Sequence, residues 1–507
     1  MVRRIFVALA VATAAYRFSL LGHGALAFVD ETFYFTSVKA LQSLSAGDVR
    51  GAVAGISLAR GRNGTALLQV PVAALQAIPA HYGVPASNLR SLLIPTGCNV
   101  LVTLASLFFV FRIGAILAGS EETALVGATV YASLTSSNLY VRHLVPYDWA
   151  LCAGLLALWV SLTGRRTSAR LLVAGALAGI VLTLYTGYYT LCGVLGVAIL
   201  WEAWDSLEPR NAIRVAAVFA VAAAAVIAAM EVLFRAGGLS YIGSLRGVGR
   251  DISFTSYGDG WTFLPEYLLS VEFASGLALC LGAFVYAWHL STRLRHGVLR
   301  PIDRVMLPAI VGWAAQAASS IYLHAIPLYG RLLHPWMPFL VWMLADTLTH
   351  VPAAQKWNTY VGVLAAVLLS FVPAAWKYVP LKYPADVLYG LGIDTDRIPR
   401  EQKLCELSPG SDYASPGPLS RATNAPYTND GSEAQVNPSR DILLNFCQAL
   451  PEVPRPRVTA RIPAGATRVF DGPHWMSFAA YSYEGLINAD RDAMRRENYR
   501  LQIYKKN

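Results

Sequence analysis

The chain has 507 residues and a mass of 54.8 kDa; 55% of residues are hydrophobic, only 14% are charged, and the mean hydropathy is +0.44. Ordinary globular proteins carry about 25% charged residues, so a string of soluble domains is excluded and a polytopic all-α membrane protein is predicted. The formal net charge of +10 comes from Lys and Arg scattered over short links between apolar runs. That scatter excludes a nucleic-acid-binding stripe and points to membrane lipids with anionic headgroups, or a phosphorylated lipid, as partners.

Met1 to Ala27 carries Arg3 and Arg4, an apolar stretch and Ala25-Leu26-Ala27, the layout of a secretory signal. Tyr16, Arg17 and Phe18 interrupt it well before that cleavage point, so it reads as a retained membrane helix; cleavage would leave the later topology unchanged. Crossing the hydrocarbon core takes about 20 mostly apolar residues. Segments of that kind lie at 5–27, 91–111, 122–140, 147–163, 170–187, 189–204, 212–234, 268–290, 303–325, 333–349 and 357–379. With the N-terminus in the cytoplasm, Arg112, then Arg165, Arg166 and Arg170, then Arg210 and Arg214, then Arg293, Arg295, Arg300 and Arg304, and finally Lys356 are all cytoplasmic, as the positive-inside bias requires.

Residues 1–379 then form the membrane domain, and 380–507 an external C-terminal region. Within the external segment 28–90, the apolar run Thr65 to Ile78 predicts one or two helices lying along the membrane surface. The glycine-rich stretch 235–267, which carries Arg246 and Arg250, predicts a flexible loop that orders on substrate binding. Residues 400–460 are rich in Pro, Ser and Asn and predict loop. Strands are expected over 458–486, including Thr467 to Phe470 and Trp475 to Tyr483, and a polar helix over 487–500, together a small α+β domain. Cys98, Cys152, Cys192 and Cys280 fall in apolar runs, whereas Cys405 and Cys447 lie in the external tail and are predicted to pair.

Three constellations carry candidate chemistry. Asp30 and Glu31 follow the first apolar segment, with Tyr34 one helical turn on. A carboxylate at the membrane boundary can serve as a general base toward a hydroxyl or amine; alternatively the pair caps the helix that follows. Arg142, His143 and Asp148 stand at the head of another span, where an ion pair between Arg142 and Asp148 is the bland alternative. Arg331 and His334 precede Pro335 at the start of a span, and an arginine there can hold a phosphate bidentately or simply snorkel to the headgroups. Arg60, Arg62, Arg246 and Arg250 have the same two readings. Asp394-Thr395-Asp396 and Asp490-Arg491-Asp492 match a short acidic pattern that arises easily by chance, and His143, His334 and His474 show no metal-ligand spacing. No metal site is therefore assigned and no cofactor is certain; a divalent metal is compatible but not indicated. Phosphate loops, dinucleotide fingerprints and nucleophile elbows are absent from the sequence.

The Asp30-Glu31 pair with Tyr34, followed by Ala46-Gly47-Asp48, resembles the GT-C class of lipid-linked-sugar glycosyltransferases, in the branch of protein O-mannosyltransferases and lipid A aminoarabinose transferases. Arg142 to Leu158 is similar to the family's second acid at the head of a Leu-rich span, and Arg331-Leu332-Leu333-His334-Pro335-Trp336-Met337-Pro338 to its Arg-Tyr-Leu-Leu-Pro-x-x-Pro element. Leu332 stands where the family has Tyr. No Lys-Pro follows Arg62, and Leu184 to Gly187 lacks the lysine of many relatives. The resemblance covers about residues 1–350 and consists of sparse positions. It implies a GT-C-like membrane domain and inverting transfer of a sugar from a polyprenyl-phosphate donor to a lipid, glycan or protein acceptor, on the periplasmic face of a bacterial inner membrane. In that scheme Asp30, Glu31 and Asp148 are catalytic, Arg62, Arg246, Arg250, Arg331 and His334 hold the donor phosphate, and Tyr34, Arg142 and His143 bind substrate. A lipid-linked oligosaccharide polymerase or ligase is the alternative, and a transporter a weaker one, because no internal repeat is visible and the charges sit at span ends.

Overall fold

The computed structural model describes residues 1–22, 31, 38–56, 66–84, 89–163, 168–206, 209–252, 260–323, 328–381, 442–445, 466–473, 478–484 and 500–506. The protein is an α-helical membrane protein, and a helix lies over each of the predicted apolar segments. These are α1 (Val2–Ser19), α5 (Leu93–Ala118), α6 (Glu121–Ser133), α8 (Tyr147–Leu162), α9 (Ser168–Leu184), α10 (Tyr189–Ser206), α11 (Pro209–Ala236), α14 (Phe273–Arg295), α15 (Pro301–Leu323), α17 (Met337–Thr349) and α18 (Ala353–Tyr378). Among the described residues, five stretches, Arg90–Ala118, Ile213–Ala236, Phe273–Arg295, Pro301–Leu323 and Ala353–Tyr378, are long and apolar enough to cross a membrane. The shorter elements are α2 (Val38–Ser45), α3 (Val49–Ile56), α4 (Ala66–His81), α7 (Thr135–Leu139), α12 (Tyr241–Ile252), α13 (Phe263–Val271) and α16 (Gly330–Leu333).

The segment expected to run unbroken over 122–140 breaks at Leu134, whose extended ψ separates α6 from α7. Backbone groups freed at such depth must be satisfied inside the protein. The Glu272 carboxylate accepts from the amides of Thr135 (2.6 Å) and Ser136 (2.8 Å). On the other side, Asn138 donates to the carbonyls of Ala132 (2.9 Å) and Leu134 (2.7 Å), and the Ser137 hydroxyl to that of Tyr131 (2.6 Å). The break is thus built in, with its partners supplied from a distant part of the chain.

Ion pairs collect at one end of the bundle. Glu121 and Glu122, at the start of α6, face Arg3 (3.2 Å) and Lys356 (3.3 Å). Deeper, Arg293 pairs with Asp303 (2.7 Å) and Arg300 with Asp346 (2.7 Å), both acids fully buried. The C-terminal end of α1 and the N-terminal ends of α5, α8 and α17 lie at the other end, where the candidate site forms.

Between α9 and α11 the packing depends on small residues. A Cβ on Gly179 would lie 2.7 Å from the Ala223 carbonyl, and one on Gly175 would collide with that of Phe219. A smaller core joins α2 and α3 to α11 and α12 through Ala40, Val53, Ile56, Met230, Phe234 and Tyr241. Asp48 accepts from the Gly51 amide (2.8 Å), which makes it the cap of α3. The flexible loop expected over 235–267 is corrected by α12 and α13. Glu231 accepts from the Ile242 amide (2.9 Å) and Ser240 from that of Gly243 (2.9 Å), and these start α12 despite its glycines.

In the C-terminal region, β1 (Ile442–Asn445), β2 (Ala466–Pro473) and β3 (Arg500–Lys506) form an antiparallel sheet in the order β1-β3-β2. The strand expected at Thr467 to Phe470 lies within β2. Ala479–Ser482, expected to be extended, forms instead the short helix α19, and Arg500 opens a strand where a helix was expected to end. Buried aromatic contacts from α19 to the bundle override the local β pattern there.

Replacing Gly175 or Gly179 by Leu should destabilise the protein by about 1–3 kcal/mol through overpacking against α11. Gly193→Ala, at a position with no neighbour within 4 Å of the added Cβ, is the control. Thermal unfolding in detergent checks it: equal melting of the Leu variants and the control would contradict the packing.

Candidate functional site

Asp148 sits in the first turn of α8, where the positive end of the helix dipole favours an acid. Its Oδ1 is 3.3 Å from His334 Nε2, and His334 Nδ1 is 3.0 Å from the Tyr188 hydroxyl. With the hydroxyl donating to Nδ1, the Nε2–H is left facing Asp148. His334 follows directly on α16, whose Arg331 donates to the Tyr147 hydroxyl (3.1 Å) and lies over the Tyr329 ring at 4.3 Å. Tyr140, Tyr147, Tyr185 and Tyr188 form a ladder of edge-on rings, with successive centroids 4.8, 4.8 and 5.1 Å apart.

Beside this chain lies Arg17 of α1, fully buried. Its Nε donates to Asn138 Oδ1 (2.9 Å), and its charge acts on both Asp148 and His334. Asn138 can meet it because the break after Ser133 turns α7 inward. Charge buried at such depth costs several kcal/mol unless it is partnered.

A second chain begins at Glu31. Its Oε1 accepts from the Leu144 amide (3.0 Å), and its Oε2 lies 3.3 Å from His143 Nδ1. His143 Nε2 in turn is hydrogen-bonded to the Tyr481 hydroxyl. Asn99 fixes the same link, donating to the His143 carbonyl (2.8 Å) and accepting from Trp149 Nε1 (2.7 Å). Arg142 donates to the Tyr378 carbonyl (3.2 Å) and stacks 3.9 Å above that ring. The Tyr140 hydroxyl donates to Glu484.

The structure therefore gathers Glu31, Arg142, His143, Asp148, Arg331 and His334 at one end of the bundle. The alternative ion pair between Arg142 and Asp148 gives way to longer-range partners: Tyr378 for Arg142 and His334 for Asp148. Arg246 is exposed on α12 and is not brought into this cluster. Asp30, Tyr34, Arg60, Arg62, Cys405 and Cys447 lie outside the described residues, as do the side chain of Arg250 and the acidic patterns at 394–396 and 490–492. Sequence reasoning missed Arg17, Tyr188, Tyr481 and Glu484. Only Arg17 carried a signal, an ionisable residue inside an apolar segment.

Chemically, the cluster combines the guanidiniums of Arg17, Arg142 and Arg331, the carboxylates of Glu31, Asp148 and Glu484, and several hydroxyls in a water-poor setting. Such a set can bind an anion through Arg331 and the tyrosines and accept a proton on a carboxylate. Among the described residues, no three His, Cys, Asp or Glu side chains converge as a metal-ligand set. Comparison with protein-family models and with curated proteins finds no match for this chain.

Asp148→Ala and His334→Ala should each lower the melting temperature, since each removes one of two facing buried polar groups and strands the other, at about 1–3 kcal/mol. The double variant should lose clearly less than the sum, because the two residues act as one unit. Additive losses in a double-mutant cycle would show that the pair is not coupled.

Proposed function

We infer that the protein is an integral-membrane glycosyltransferase of GT-C type, moving a sugar from a polyprenyl-phosphate donor to an acceptor with inversion at the anomeric carbon. One observation carries this reading: arginines, carboxylates and histidines are gathered and buried at the bundle end opposite the Arg-rich ion pairs. With eleven crossings and a cytoplasmic N-terminus, that end faces the periplasm of a bacterial inner membrane, where a small α+β domain from the tail stands over it. A transporter would concentrate its charge near the middle of its helices, whereas Arg17, Asp148 and Arg331 all sit at helix ends.

In this scheme Asp30 takes the proton from the acceptor nucleophile while the donor's anomeric carbon–oxygen bond breaks and the polyprenyl phosphate departs with the electron pair. Arg331, hydrogen-bonded to Tyr147, stabilises the negative charge that grows on the phosphate, where preorganised electrostatics are worth most. Asp148, fixed by His334, and Glu31, fixed by His143 and Leu144, orient the acceptor and the surroundings of Asp30. The ladder of tyrosines lines the site with aromatic edges and hydroxyls that a sugar ring can meet once the site opens.

Mass spectrometry of lipid co-purifying with the protein is expected to find a polyprenyl-phosphate-linked sugar. Asp30→Asn should lower transfer by about 10²–10⁴-fold and leave donor binding intact; since Asn caps helices about as well as Asp, a purely capping Asp30 predicts wild-type transfer. Arg331→Met should weaken donor binding by about 10-fold or more through loss of charge-assisted hydrogen bonds. The topology has its own check: a reporter active only in the cytoplasm, fused after Asn507, is expected to be silent.

A further inference from the structure

The four residues of α19 and their neighbours belong to the tail, yet Ala480, Tyr481, Ser482 and Tyr483 are each no more than 2% exposed. This segment lies in the connection between β2 and β3, which pair directly as antiparallel neighbours. A connection that long between paired strands is uncommon and usually functional. It touches the site at three points: the Tyr481 hydroxyl at His143, the Glu484 carboxylate at Tyr140, and the Tyr483 carbonyl, which accepts from the Gly330 amide (2.9 Å) next to Arg331. Phe478 adds a ring stacked on Tyr378 at 5.2 Å.

We propose that Phe478–Glu484 is a strap that closes the site, and that Tyr481 is a positioning residue acting through His143 on Glu31. With the strap seated, Arg331 is 8% and His334 0% exposed. A ligand phosphate or sugar needs access to such groups, so part of this cover moves before anything binds. The strap suits that part, because it reaches the bundle from the tail, through side-chain contacts such as Phe478 on Tyr378 and Tyr481 on His143. Its return would exclude water and set the Tyr481–His143 hydrogen bond, which holds the imidazole against Glu31. A hydroxyl donating to Nε2 fixes the tautomer and leaves Nδ1–H facing the Glu31 carboxylate at 3.3 Å. The effect on rate rests on the sugar-transfer reading; closure does not.

The full-length protein, with its native cysteines replaced by serine, carries Ser482→Cys or, as an exposed reference, Ser45→Cys, and is treated with a membrane-impermeant maleimide. Ser482→Cys is expected to label about 10-fold or more slower than the reference, since it must wait for local opening. Phe478→Ala, which removes the stack on Tyr378, should restore most of that difference. Labelling as fast as the reference with Phe478 intact overturns the strap. In the transfer assay, Tyr481→Phe keeps the ring and should lower kcat by about 10-fold, change KM less than about 2-fold, and add nothing in a His143→Ala background. Unchanged kcat overturns the positioning role. If the unaltered protein transfers no sugar, the functional reading and the positioning role fall together, and labelling alone decides the strap.

Discussion

A charge taken out of water at membrane depth must find its partners within the protein, and the cluster around Arg17 and Asp148 is organised by that requirement. Arg17, Glu31, Asp148 and His334 are all at or near zero exposure, and idealised desolvation would cost each ion far more than the whole domain's stability. Each of the four is met by a hydrogen-bond or ionic partner on another element: Asn138 for Arg17, His334 for Asp148, and His143 for Glu31. Those partners in turn constrain the backbone. Asn138 reaches Arg17 only because the helix breaks at Leu134, and that break is tolerable only because Glu272 takes up the freed amides of Thr135 and Ser136. The irregular backbone at this end is therefore a consequence of the buried charge.

The two ends of the bundle treat charge differently. Arg3 and Glu121 are 77% and 37% exposed in their side chains, and pairs of that kind contribute about 0–1 kcal/mol. They anchor and orient the helices. Asp303 and Asp346 beneath them are buried against Arg293 and Arg300, so each acid there has an arginine for its charge. Asp303 also accepts from the Tyr286 hydroxyl (2.7 Å). At the opposite end Asp148 and Glu31 face histidines where Asp303 and Asp346 face arginines.

Much of the helical layout was legible, because a backbone without water to bond must form helices wherever the sequence is apolar for long enough. The helices over 91–111, 212–234, 303–325 and 357–379 follow from that alone. The site was legible one residue at a time: Glu31, Arg142, Asp148 and Arg331 stood out as ionisable groups at span ends. Their partners did not, because sequence proximity suggested Arg142 for Asp148, whereas His334 arrives from a different helix. Tyr481 and Glu484 carry no local signal at all, since nothing in a polar tail indicates that it folds back onto a membrane domain. The glycines of 235–267 misled in the opposite sense. Flexible composition gave a helix because Glu231 and Ser240 satisfy its first amides.

One departure from the lipid-linked-sugar transferases acquires a physical meaning in this arrangement. The turn Leu184 to Gly187, where many of those enzymes carry a lysine, here holds Tyr185 and leads into Tyr188, whose hydroxyl is bonded to His334. The positive charge of the site comes instead from Arg17 and Arg331, on α1 and α16. A guanidinium is a rigid, weakly hydrated fork, whereas an ammonium is a mobile and strongly hydrated point. A guanidinium held at a helix end, as Arg331 is, therefore fixes a bound anion rather than following it. Under the sugar-transfer reading, such a site holds the phosphate in one orientation and leaves the tyrosine ladder to discriminate among sugars, through ring faces and hydroxyls rather than through charge.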